Sequence, residues 1–179
     1  MPSSKLGVLW LAQCAALWTL LAGLGCAGAA AAQEQPPCEQ FAWSIHREQA
    51  LFSALHLNTT SSGAVVESLE NGIVLGLLPN GAVSFLLPPA RRPKAESYGG
   101  VITIANLPKA GTWQVTASGE AWIDVVQDGK AAASTAHTGN RDCKGVRKSV
   151  RFELQPGPVT LQVSGASEKV IKLAVLPAG

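Results

Sequence analysis

Trp122 and Asp124 stand two residues apart in a segment whose alternation marks a β-strand, so both side chains leave it on the same side. An aromatic plate beside a carboxylate is a pairing that saccharide recognition uses. The apolar ring takes a sugar face while hydroxyls donate to the acid. Tryptophans in strands more often fill a core, and an aspartate near a strand end often caps a turn, so which face is buried decides the matter. Further on, Arg141, Lys144, Arg147, Lys148 and Arg151 gather five cations, enough to attract an anionic glycan, a lipid head group or an acidic protein surface. Asp142 and Glu153 dilute that charge, and basic side chains on a solvent face also serve solubility and edge protection.

His137 lies among Ser134, Thr135 and Thr138, types from which a hydroxyl nucleophile and its base are assembled, but no Gly-x-Ser-x-Gly elbow accompanies it. The three histidines, His46, His56 and His137, are dispersed along the chain. An iron oxygenase needs two histidines and a carboxylate that converge with open coordination positions. His46 and Glu48 would point together only on a strand, and a helix is expected there. Phosphate-cradling glycine loops, zinc-ligand spacing and paired catalytic carboxylates are likewise missing from the sequence. No catalytic residue, metal ligand or cofactor is therefore assigned.

The cysteines must be read with the compartment. Lys5 is followed from Leu6 to Leu24 by an uncharged run rich in Leu, Ala, Trp and Val, which ends in small residues through Ala30-Ala31-Ala32. This is the profile of a signal peptide, with cleavage expected between Ala32 and Gln33. Such a run is also long enough to serve as an uncleaved anchor, and Gly25-Cys26 admits a lipidated terminus; membrane association is expected only by one of those two routes. Cleavage removes Cys14 and Cys26 and leaves Cys38 and Cys143, which an oxidising compartment would join. No Cys-x-x-Cys motif suggests a redox-active thiol instead. Abundant alanine and glycine suggest a GC-rich bacterial background, so a periplasmic or secreted location is expected. A formal charge of only +2 gives the chain no general bias toward nucleic acid. The sequon Asn58-Thr59-Thr60 would matter only in a eukaryotic secretory pathway.

The positioning elements follow from periodicity. Phe41, Ile45, Phe52 and Leu55 recur at helical spacing after Ser44, a potential cap, which predicts one short helix. Residues 58–63 read as a polar loop. Segments 72–78 and 82–87 read as a hairpin through Pro79-Asn80-Gly81. Pro88-Pro89, Arg91-Arg92 and Pro93 then predict an irregular linker as far as Tyr98.

Beyond Gly99 the alternation is cleaner. Trp113, Val115 and Ala117 oppose Thr112, Gln114 and Thr116, and Ala121, Ile123 and Val125 oppose Trp122, Asp124 and Val126. Asp128-Gly129 supplies a tight turn, and residues 135–145 read as a polar loop. Val150, Phe152 and Leu154 face inward, with Ser149, Arg151 and Glu153 on a wet face. Pro156-Gly157-Pro158 and Ser164-Gly165 set off the last two strands. Short strands at this spacing predict a mainly β protein, an antiparallel β-sandwich or jelly roll carrying one N-terminal helix. The expected layout is a signal peptide at 1–32, a helix, hairpin and Pro/Arg-rich linker at 33–97 packing on the sandwich, and the sandwich proper at 98–179, one domain in all.

Residues 98–176 resemble the bacterial pre-peptidase C-terminal type of jelly-roll domain. The likeness rests on Ala110-Gly111-Thr112-Trp113-Gln114-Val115, Trp122-Ile123-Asp124-Val125 with Asp128-Gly129, Val150-Arg151-Phe152 with Pro156-Gly157, and Leu161-Gln162-Val163. It implies a fold shared with carbohydrate-binding sandwiches and no particular activity. The chain is also similar to small exported proteobacterial proteins sometimes labelled homogentisate dioxygenase, an activity whose iron ligands the dispersed histidines do not supply. The expected role is a non-catalytic binding or envelope-associated module. Trp122, Asp124, His137, Arg147 and Lys148 are the candidate ligand contacts, and a glycan, an envelope component or a protein the partner. A small enzyme and a structural accessory subunit are the alternatives.

Overall fold

The computed structural model describes residues 36–179. The export segment and its Ala32–Gln33 junction lie outside the described residues. The chain order is α1 (His46–Ser53), β1 (Asn58–Ser61), β2 (Val65–Val66), β3 (Ile73–Gly76), β4 (Leu78–Pro79), β5 (Tyr98–Leu107), β6 (Gly111–Ala117) and β7 (Trp122–Gln127), then β8 (Lys130–Ala131), β9 (Ser134–Gly139), β10 (Lys148–Leu154), β11 (Gly157–Ala166) and β12 (Val170–Pro177). Six strands in the order β1-β3-β12-β6-β10-β9 make the first sheet. The second runs β2-β5-β11-β7-β8, with β4 also pairing with β5. The two sheets pack as a β-sandwich.

The alternation expected beyond Gly99 sets the core. Trp113, Val115, Phe152, Leu173 and Leu75 from the first sheet meet Ile102, Ile104, Leu161, Val163 and Val125 from the second in one buried cluster. Burying a side chain of this size is worth about 1.5–3 kcal/mol, so this cluster is the main reason the sheets stay together. The Asp128-Gly129 turn forms as expected: Gln127 pairs with Lys130, and both turn residues have positive φ, 51° and 71°.

Several expectations upstream and at the turns are overturned. The helix is shorter than its apolar spacing suggested. Ser44 lies just ahead of it, its Oγ accepting the His46 N–H at 3.4 Å. Residues 58–61 are a strand, β1, parallel to β3, and β2 is parallel to β5, so the sandwich is not wholly antiparallel and begins well before Tyr98. The hairpin across Asn80-Gly81 does not exist. Asn80–Ala82 closes as a 3-10 turn, β3 pairs with β12, and β4 pairs with the start of β5. The polar stretch after Thr135 is an edge strand, β9, whose pairing with β10 places His137 opposite Val150. Ser164-Gly165 lies inside β11, where the register slips against β5 between Val163 and Ala166.

Residues 83–97 contain no strand, yet they alternate. Val83, Phe85 and Leu87 are half-buried while Ser84 and Leu86 are exposed. The segment lies as an extended strap across the outer face of the second sheet. A strap without a strand partner must satisfy its own peptide groups, and Gln162 of β11 does so twice. Its Oε1 accepts the Leu87 N–H at 3.0 Å and its Nε2 donates to the Leu87 carbonyl at 2.9 Å. Close approach also requires Gly99, where a Cβ would meet the Val163 carbonyl at 2.7 Å and Phe85 at 3.1 Å.

A second strap, residues 36–54 with α1, covers the outer face of the first sheet. Phe41, Ile45 and Phe52 form a separate small cluster with Val146, Ala174 and Cys143. Cys38 and Cys143 are joined by a disulfide. The wet face expected at Ser149 and Arg151 is therefore a polar interface. Ser149 is fully buried, its Oγ accepting from Thr116 Oγ1 at 2.7 Å and from Trp43 Nε1 at 3.3 Å. Glu48 is buried as well and accepts from Gln114 Nε2, while Arg151 donates to Gln114 Oε1 at 3.3 Å and stacks 4.1 Å from the Trp43 ring centroid.

Candidate functional site

The start of β7 builds the site. Ala121, Ile123 and Val125 take the core positions, so Trp122 and Asp124 must face out. Trp122 keeps 36% of its surface exposed, which answers the question its sequence position posed. It is no core filler. Its indole N–H donates to Asp124 Oδ1 at 2.8 Å, fixing the ring across the strand. The other carboxylate oxygen accepts the Ala90 N–H of the strap at 3.1 Å. Each Asp124 oxygen thus accepts one N–H from within the protein, so this residue positions both the ring and the strap.

Two cations converge on the ring. Lys148, first residue of β10, reaches from the other sheet to place its Nζ 5.3 Å from the Trp122 centroid and donates to the Ala121 carbonyl at 3.1 Å. The strap anchored at Ala90 delivers Arg91, whose guanidinium carbon lies 5.9 Å from the same centroid. Distances of this order are those of cation–π attraction. Burial, first, and then the neighbouring Arg147 hold the Lys148 ammonium below the ordinary lysine value; Arg91 adds to this, and Glu120 and Asp124 oppose it. Arg147 is paired with Glu120 at 3.5 Å, the sole ion pair within 4 Å among the described residues.

Of the candidate contacts, Trp122, Asp124 and Lys148 come together, with Arg147 beside them. His137 does not join them through any hydrogen bond or ring contact; it is exposed on β9. The five cations are likewise parted. Arg151 lies against Trp43 under the N-terminal strap, Lys144 borders a cleft with Phe52, Val146 and Lys172, and Lys148 and Arg147 serve the Trp122 region. Arg91 was missed from sequence because its place in a proline-rich linker gave no hint of the surface the linker crosses. The signal that could have found it is the neighbouring Pro88-Pro89, which stiffens the chain before Ala90 and Arg91.

Among the described residues no group of three His, Cys, Asp or Glu side chains gathers to hold a metal ion, and no helix is long and apolar enough to cross a membrane. Chemically, the arrangement offers a fixed aromatic plate with flanking positive charge. Compared with protein-family models and with curated proteins, the chain matches none.

Proposed function

We propose that this protein is exported to the periplasm or beyond and acts as a non-catalytic binding module, holding a glycan of the cell envelope against the outer face of its second sheet at Trp122. The observation that carries this reading is the exposed indole locked by Asp124, on a surface otherwise covered by the strap. An immobilised ring can take the apolar face of a pyranose with little loss of side-chain entropy. The disulfide supports an oxidising compartment.

The test is retention of the mature chain on polysaccharide fractions of a bacterial envelope extract. Wild type should be retained without altering the polymer, and Trp122→Ala should elute about tenfold earlier in ligand concentration, the loss expected for one stacking contact. Retention that ignores Trp122, or steady turnover of the bound polymer, would sink the proposal.

A further inference from the structure

We infer that the saccharide held at Trp122 is acidic, a uronate whose ring carboxylate is received between Lys148 and Arg91. This rests on the glycan reading above and deepens it. Two cations already lie over the indole ring, Lys148 at 5.3 Å and Arg91 at 5.9 Å from its centroid. A neutral sugar that stacks on the indole competes with the two cations for it and gives up part of their attraction, about 0.5–1 kcal/mol for each at an exposed site. An acidic sugar reverses that sign. Its apolar face meets the ring while its carboxylate turns the same two cations into partners through charge-assisted hydrogen bonds.

The protein leaves those cations open to such a partner. Arg147 already has Glu120, whereas Lys148 and Arg91 have no carboxylate within 4 Å among the described residues. Asp124 is spent on the Trp122 and Ala90 N–H groups, so it does not neutralise them by a direct contact. Lys148 is held through its bond to the Ala121 carbonyl, and the strap anchored at Ala90 brings the exposed Arg91 to within 5.9 Å of the ring centroid, so both charges stand at the indole. A carboxylate carried directly on the pyranose ring sits within reach of cations that lie 5.3 and 5.9 Å from the indole centroid. Partial burial of Lys148 adds to the gain, since an arriving anion offsets the cost of keeping that ammonium out of water.

The test compares oligogalacturonate with its methyl ester by titration calorimetry on the mature, oxidised chain. The two ligands share ring shape and hydroxyls and differ in charge. The acid should bind about tenfold or more tightly than the ester, and raising salt from about 50 to about 500 mM should narrow the gap. Lys148→Met and Arg91→Ala should each remove most of the difference, while Lys148→Arg and Arg91→Lys retain it; unchanged circular dichroism confirms that each variant is folded. Equal binding of acid and ester through Trp122 would overturn the uronate and leave the glycan reading standing. Envelope polysaccharide retained through Trp122 with no affinity for either oligomer would do the same. Full competition by inorganic phosphate at matched concentration, or tighter binding to vesicles containing anionic phospholipid, would also overturn it by showing a general anion or head-group site. If neither oligomer nor envelope polysaccharide binds, both readings fall.

Discussion

At the scale of single residues, Asp124 and Lys148 lend themselves to opposite experiments. Asp124 accepts from two N–H donors, one from the Trp122 ring and one from Ala90. Asparagine keeps one acceptor oxygen but turns an NH2 group toward the second donor, so one bond must be lost. Asp124→Asn should therefore cost about 1 kcal/mol and raise hydrogen exchange at Ala90, with the Trp122 emission shifting to the red; unchanged exchange at Ala90 would show that the strap does not depend on this carboxylate. Lys148 titrates below the ordinary lysine value of 10.5, chiefly because burial penalises its charge. The folded chain then releases this proton before the unfolded chain does, so stability rises with pH between the lowered value and 10.5. Lys148→Met has no such proton. Its stability relative to wild type should be greatest below that window and should decline through it, an outcome that urea unfolding of the pair across the alkaline range will check. A constant difference would mean that Glu120 and Asp124 fully compensate for burial, Arg147 and Arg91.

At the scale of elements, what was legible in the sequence depended on what each strand touches. Strands β6, β7 and β10 to β12 bury one face in the common core, so their alternation was read correctly, while the direction in which Trp122 and Asp124 point was left open by the sequence and is set by the fold. Elements of two to four residues, such as β2 and β4, carry too few side chains to show a period. The stretch from Val83 to Leu87 does alternate, but its partner is a sheet face, which strand patterning cannot distinguish from a sheet edge. Gln114, Thr116, Ser149 and Arg151 mislead for the reverse reason: a polar face looks wet in sequence even when another polar segment covers it. Glu48 tests that covered interface. It is fully buried and accepts the Gln114 amide, while its other oxygen has no hydrogen-bond partner. Glu48→Gln keeps an acceptor for Gln114, so its stability should stay within about 1 kcal/mol of wild type. Glu48→Ala leaves the Gln114 amide unpaired and should cost about 1–3 kcal/mol. Chemical unfolding that ranks the two variants equally would show that the hydrogen bond contributes nothing net.

At the scale of the whole molecule, residues 36–179 contain two apolar clusters of unequal size, and the disulfide belongs to the smaller. The sandwich core is built from strands of both sheets, whereas residues 36–54 are held to the first sheet by the Phe41, Ile45 and Phe52 cluster, the Glu48 network and the Cys38–Cys143 bond. That bond closes a sequence separation of 105 residues, so its loss should lower global stability by up to about 4–5 kcal/mol on the chain-entropy account. The local consequence is more telling. Once the tether is cut, the N-terminal strap is retained by a small apolar cluster and polar contacts to one sheet face, and should open at lower free energy than the sheets beneath it. In the Cys38→Ser/Cys143→Ser variant, hydrogen exchange should accelerate most in α1, while β5 and β11 lose only what the global change takes from them. The Trp122 site lies on the other sheet, and the Arg147 N–H holds the end of the Cys143 loop to the Ala117 carbonyl at 2.8 Å, so Lys148 keeps its place. Glycan retention by the double variant should accordingly remain sensitive to Trp122→Ala. Equal acceleration in α1, β5 and β11 would show that strap and sandwich open as one cooperative unit. Loss of the Trp122-dependent retention would show instead that the staple reaches the binding face through the Cys143 loop.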